Sequence, residues 1–256
     1  MINSSEIRQS DFRGELIQPE DPGYDEARAA FDVSIDKRPV LIARCVDADD
    51  VARVVVLARK HKLPLAVRST GHNVAGYAVC NDGVVVDLSC MNAITVDPSA
   101  RTVRAESGCN WGEVNDALQP YGLAATGGFV SITGVAGLTL GGGLGWLVRK
   151  HGLALDNLLG AEVVLADGRR VKASGHENED RFWAIRGGGG NFGVVTSFEF
   201  KVHPAGTVLA GIVLHPAGAA AGAIRRWRDL EAQAPSRPSL VPYAACNPAK
   251  PSSPPR

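Results

Sequence analysis

Strand-like and helix-like hydrophobic patterns alternate along most of this chain. The run PVLIARCV starts at a proline and carries the β-branched content of a strand. Asp47 and Asp50 then have capping-box spacing, with Asp in place of the usual Glu, and Val51, Val54, Val55 and Ala58 recur on one helical face until Pro64 ends the element. LPLAVRS reads as a second buried strand that runs directly into the polar turn Thr70-Gly71-His72-Asn73. GVVVDLS predicts another strand, and ITVDPSARTVRAES predicts a hairpin split at Pro98-Ser99.

Asn110 and Glu113 frame a second capping box, and Val114, Ala117 and Leu118 give its apolar face up to Gly122. The segment GGFVSITGVAGLTLGGGLG follows, too rich in glycine for an ordinary helix or strand interior, so something must approach its backbone closely. AEVVLADGRRVKAS reads as a hairpin with Asp167-Gly168 in the turn. The short helix EDRFWAIR leads to a second glycine run, RGGGGNFG, and then to the strand VVTSFEFKV, where the pattern breaks at His203-Pro204. Beyond Gly206 the composition turns to Ala, Gly and then Pro. VLAGIVLH reads as one strand and AAAGAIRRWRDLEAQ as one helix, and Pro235, Pro238, Pro242, Pro248, Pro251, Pro254 and Pro255 mark a disordered tail.

Composition narrows the functional classes. A chain of 256 residues with 45% hydrophobic content can bury a sizeable core. Acidic and basic residues balance at 27 each, so no long-range field favours nucleic acid or an anionic membrane, and a small-molecule partner is expected. The charged N-terminus MINSSEIRQSDFRGEL does not read as a signal peptide and no apolar run is of membrane-spanning length, which predicts a cytoplasmic protein. Cys45, Cys80, Cys90, Cys109 and Cys246 form neither a CxxC pair nor a metal-ligand spacing, so reduced thiols and no metal are expected.

Three features hold candidate chemistry. Gly188-Gly189-Gly190-Asn191-Phe192-Gly193 fits GxGxxG, but a dinucleotide-binding Rossmann turn needs a strand before it and a helix after it, and here the order is reversed. The physical role that survives is a nest of backbone N–H groups converging on phosphate, set against the reading of a plain loop. His72, in RSTGHN, follows a glycine that permits a tight path. Alone in a polar loop, a histidine is ordinarily a solvated side chain or a turn hydrogen-bonder. The combination of that loop with two glycine runs, in this order, shifts the balance towards a cofactor site.

The segments RSTGHNVAGYAV, GGFVSITGVAGLTLGGGLGWLVRKHGLALDNLLGAEVVLADGR and FWAIRGGGGNFGVVTSFEFKVHP together resemble the FAD-binding domain of the vanillyl-alcohol-oxidase superfamily, with the nearest likeness to berberine bridge enzyme-like oxidoreductases. The resemblance covers roughly residues 30 to 204. It implies an α+β fold, the two-subdomain PCMH-type FAD-binding module. The expected organisation is an N-terminal extension at 1–30, an FAD-binding domain at 31–204 with subdomains at about 31–95 and 96–204, the start of a substrate domain at 205–234 and a Pro-rich tail at 235–256.

By the same resemblance, FAD is the cofactor and His72 matches the histidine bonded to the 8α-methyl of the isoalloxazine. Arg68, Ser69, Thr70, Gly71 and Asn73 match the loop that wraps the pyrophosphate. Gly134, Gly137, Gly141, Gly142, Gly143 and Gly145 match the glycine segment near diphosphate and flavin, where Thr133 and Thr139 are candidate hydroxyl donors. Gly190, Gly193 and Val195 match a third segment that contacts the cofactor through backbone. Many family members carry a second link from a cysteine at the position held here by Val130, so no cysteinyl link is expected, and Cys109 reads as an ordinary small buried residue.

The reaction implied is oxidation of an alcohol, hemiacetal or amine carbon, with hydride passing to flavin N5 and dioxygen reoxidising the flavin. Family members continue for about as many residues again, in a sheet over the flavin that supplies the general base. The catalytic residues are therefore not identifiable here, and the chain is expected to be a truncated oxidase. The alternative is a non-catalytic flavin-binding module without a substrate domain. Exposed apolar surface, including one face of VLAGIVLH, predicts self-association.

Overall fold

A computed structural model describes residues 11–206, 211 and 213–233 of the chain. It divides into two compact units that part after Gly206. The first unit holds two sheets. The smaller has the order β1 (Glu15–Ile17), β2 (Leu41–Arg44), β4 (Val84–Asp87), β3 (Leu65–Arg68), in which β4 pairs in parallel with both β2 and β3, and β1 is antiparallel to β2. The larger is antiparallel throughout, in the order β5 (Ile94–Asp97), β6 (Thr102–Glu106), β10 (Val194–Lys201), β8 (Leu158–Val164), β9 (Arg170–Ser174).

Helix α2 (Ala48–Lys60) lies between these sheets. Its apolar stripe of Val51, Val54, Val55 and Ala58 is buried in one core with Val84 and Val86 of β4 and with Val164 and Val194 at the ends of β8 and β10. The Asp47 side chain caps it by accepting from the Asp50 N–H at 2.8 Å, an interaction that contributes about 1 kcal/mol. The reciprocal half of the box is altered. The fully buried Asp50 carboxylate accepts from the backbone N–H groups of Val46 and Arg13, because Asp is one carbon shorter than Glu. Those bonds fasten the N-terminal strand to the start of the helix.

The second core is built on α3 (Trp111–Leu118). Asn110 and Glu113 complete both bonds of a capping box, and Trp111, Val114 and Leu118 pack with Phe198 and Phe200 of β10. The indole of Trp111 meets Phe200 at 5.5 Å between ring centroids. The β8–β9 hairpin closes through Asp167, whose carboxylate accepts from the Arg169 N–H, with Gly168 at φ 85°.

The structure departs from the hydrophobic pattern in four places. The segment before residue 31 is more than an extension, since β1 completes the first sheet and α1 (Tyr24–Arg28) buries Tyr24 and Ala27. β3 is an edge strand rather than a buried one, with Leu65 and Val67 partly exposed. The glycine-rich segment contains a true helix, α4 (Val135–Leu140), because its glycines lie mostly at the ends and Val135, Ala136 and Thr139 share a buried face. After Val202 the chain adds a two-residue strand, β11 (His203–Pro204), paired with β7 (Leu123–Ala124).

In the second unit, α7 (Ala220–Gln233) forms as the sequence predicts, with no fully buried residue. Of the expected strand VLAGIVLH, residues 208–210 and 212 lie outside the described residues and Gly211 and 213–215 are not in a strand, and the Pro-rich tail lies outside the described residues.

Candidate functional site

The loop that leaves β3 is gripped at both sides. Ser69 donates its hydroxyl to the carbonyl of Ser107 at 2.6 Å, and Ser107 donates its own buried hydroxyl to the Val195 carbonyl, also at 2.6 Å. The Ser107 N–H bonds the Thr196 carbonyl as well. Ser107 is thus the hub joining the β3 loop to β10. It belongs to none of the sequence motifs. Its signal was a small polar residue at a strand-to-helix turn, followed by a glycine whose missing side chain lets Leu88 and Met91 carbonyls approach.

Gly134 closes the other side of this hub. It caps α4, the Val135 N–H bonds the Cys109 carbonyl at 2.9 Å, and a Cβ on Gly134 would stand 2.5 Å from Thr70 Oγ1 and 2.9 Å from Ser69 Oγ. Three segments distant in sequence, at 69–70, 134 and 195, therefore meet through Ser107 and Gly134. Helix α4 also packs against α6 (Glu179–Gly188) and the turn at 189–192, which brings the second glycine run to the first.

The remaining glycines divide by what surrounds them. A Cβ on Gly137 or Gly190 would meet nothing within 4 Å, so these backbones present an open face to an incoming group. Gly145 is the opposite case, since a Cβ there would overlap the Gly127 carbonyl. Gly143 likewise backs onto Ala154, and Gly193, at φ 138°, onto the Val164 carbonyl. Gly141 ends α4, and Gly142 N–H bonds the Thr139 carbonyl to turn the chain away. Room is therefore left at the backbones of Gly137 and Gly190 and closed at Gly143, Gly145 and Gly193.

Several predicted donors are engaged elsewhere. The Thr139 hydroxyl is buried and donates to the Val135 carbonyl one turn back, which commits its hydrogen to the helix. Arg68 turns to the N-terminal segment, donating from Nη1 to the Ala27 carbonyl at 2.5 Å. Asn73 Oδ1 accepts from the Tyr77 N–H and closes a turn. Thr133 ties its backbone to α3, its carbonyl accepting from the Trp111 N–H. Val195 is buried, so its backbone is what it offers.

His72 follows Gly71, which is buried at φ 76° and whose carbonyl accepts from the Phe31 N–H at 3.1 Å. The imidazole stacks on the Phe31 ring with centroids 4.3 Å apart and planes 22° from parallel. Val130 stands exposed near the exposed Ile132 in sequence. Cys109 is fully buried, and burial pushes its thiol up to about 12, which keeps it protonated and unreactive. Among the described residues no group of three or more His, Cys, Asp or Glu side chains is placed to hold a metal ion.

Comparison with known proteins bears on the family and the fold. A family model described as FAD binding domain matches residues 39–174. The chain is 43% identical over 192 residues to (R)-6-hydroxynicotine oxidase of Paenarthrobacter nicotinovorans, covering 75% of this chain and 42% of that protein. In structure it is similar to 6-hydroxy-D-nicotine oxidase from Arthrobacter nicotinovorans, with TM-score 0.74 and 42% identity over 76% of this chain and 43% of the other. It is also similar to glucooligosaccharide oxidase from Acremonium strictum, whose FAD is described as 6-S-cysteinyl, 8α-N1-histidyl. There the TM-score is 0.73 and identity 33%, over 78% of this chain and 42% of the other. The chain thus spans about two fifths of the length of the relatives it matches.

Proposed function

The chain belongs to the FAD binding domain family, among FAD-linked oxidases of the vanillyl-alcohol-oxidase superfamily that include berberine bridge enzyme-like proteins, and on that premise we propose that it is the flavin-holding part of an oxidase whose FAD is bonded to His72. The observation that carries the reading is the Ser69–Ser107–Val195 hydrogen-bond chain with Gly134 closed behind it. Those bonds bring the segments at 69–70, 134 and 195 together, which supports a single cofactor site built from them.

The division of labour follows from that locus. The backbones at Gly137 and Gly190, where a Cβ would meet nothing within 4 Å, would leave room for the diphosphate, and the β3 loop would carry His72 to the isoalloxazine. When bound, FAD supplies a hydride acceptor that dioxygen restores, with release of hydrogen peroxide. A histidyl substituent withdraws electron density from the ring and raises its oxidising power, and the bond prevents loss of the cofactor. Val130 occupies the place of a second, cysteinyl link, and Cys109 is buried as a protonated thiol, so one bond is expected. The substrate is an alcohol, hemiacetal or amine, classes that include the compounds for which the oxidases above are named.

The decisive experiment is intact-protein mass after denaturation, together with visible absorbance, on the wild type and His72→Ala. A mass gain of one FAD that vanishes in the variant supports the bond. Yellow protein that releases all its flavin on denaturation removes the bond and keeps the binding. Colourless protein after incubation with FAD overturns the reading.

A further inference from the structure

The sequence directs attention to the β3 loop, but the structure shows what holds that loop from outside. Residues 27 to 37 run along it. Arg68 donates to the Ala27 carbonyl, Phe31 N–H bonds the Gly71 carbonyl, Ile35 packs where Gly76 lacks a side chain, and Lys37 Nζ donates to the Gly76 carbonyl at 2.8 Å. Within this clasp only Phe31 touches the histidine by ring stacking, at 4.3 Å. Phe31 is 60% exposed, so hydrophobic burial does not explain where its ring sits.

We propose that Phe31 is a positioning residue for attachment of FAD to His72. This rests on the reading that His72 carries the bond. A ring stacked on the imidazole face fixes the plane of the imidazole while leaving its edge, where both nitrogens lie, open to a partner. Among the described residues no hydrogen bond occupies either nitrogen of His72, so the stack on Phe31 and the backbone at Gly71 are what set its direction. Bond formation needs that direction. An imidazole nitrogen loses its proton and bonds to the 8α carbon of the flavin, that carbon loses one hydrogen, and the two electrons and two protons reduce dioxygen to hydrogen peroxide. An attacking nitrogen held in line avoids the search over ring orientations, and a misplacement of about 1 Å costs up to about a hundredfold in rate.

The test is the time course of attachment. Flavin-free full-length chain is mixed with FAD in air, quenched in denaturant at intervals and weighed intact, for wild type, F31A, F31L and F31Y. Non-covalent flavin affinity and thermal midpoint are recorded in parallel. Slowing of attachment by about tenfold or more in F31A and F31L, with F31Y near wild type and flavin affinity unchanged, supports the proposal. F31L keeps the apolar bulk without an aromatic face, so its failure to attach is not a packing effect. Wild-type rates in both F31A and F31L overturn the proposal and leave the histidyl bond standing. Absence of any covalent flavin in the wild type overturns the bond and the proposal together.

Discussion

The imidazoles of His151 and His203 stack face to face, with centroids 3.7 Å apart and planes 9° from parallel. His203 Nε2 lies 2.7 Å from Asn157 Oδ1, and since the Asn157 amide nitrogen donates to Thr126, His151 and Leu153, its oxygen accepts and His203 carries its proton on Nε2. This cluster fastens the chain after α5 (Val148–His151) to the exit from β10.

Burial pushes both imidazoles below their usual value, and Lys150, Lys201 and, for His203, the neighbouring His151 push the same way. The unfolded chain therefore binds protons that the folded chain refuses. Above the ordinary histidine value of about 6.5 both states are neutral and stability is unaffected, whereas stability falls as pH drops below it towards the lowered folded values. The thermal midpoint is expected to fall between about pH 7.5 and pH 5.5. His151→Phe, which keeps a stacked ring without a charge, should flatten part of that slope. An equal slope in wild type and variant would remove the pair as its cause.

Asn157 is buried with its amide shared among three acceptors. Its replacement by Ala takes this partner from the His151 carbonyl and the His203 proton, while Thr126 still donates to the Leu153 carbonyl. A loss of about 2 to 4 kcal/mol in urea unfolding is expected, and a loss below about 1 kcal/mol would show that water replaces the side chain.

Gly134→Ala and Gly145→Ala separate two kinds of crowding. At Gly134 the new methyl meets the side-chain oxygens of Thr70 and Ser69, which can rotate only by giving up the Ser69 bond to Ser107. Weaker FAD binding with a stability loss of about 1 to 3 kcal/mol is expected. At Gly145 the methyl meets the Gly127 backbone carbonyl, which no rotamer moves, so the loss of stability should be the larger. Flavin titration with denaturant unfolding of both variants checks the order.

Thiol labelling reads burial directly. Cys90 is exposed, whereas Cys45 and Cys109 are fully buried with thiols raised far above their usual range by that burial. In the folded chain at about pH 8, peptide mapping after alkylation should find Cys90 modified and Cys109 untouched, with Cys109 reacting once denaturant is added. Rapid native labelling of Cys109 would mean that the turn before α3 opens readily.

Much of the fold was legible because local signals suffice for local structure. Asp47, Asn110 and Asp167-Gly168 announce two helix starts and one hairpin through bonds that span only two or three residues. The three motifs could be ordered and matched to a cofactor in the same way, since their glycines and His72 sit in contiguous runs. What the tertiary structure decided are pairings across long separations. No pattern in residues 11 to 31 says that β1 completes a sheet or that Phe31 lies on His72, since those contacts depend on where another strand and loop come to rest. Ser107 is one small polar residue in sequence and a hub only because the β3 loop and β10 arrive at its two sides. Thr139 gives the converse lesson. A hydroxyl in a glycine-rich run suggests a ligand donor, but once the run winds into a helix the carbonyl four residues back is the nearer acceptor. Side-chain chemistry and short-range geometry are written in the order of residues, and the partners each group finally meets are set by how the sheets and loops close around it.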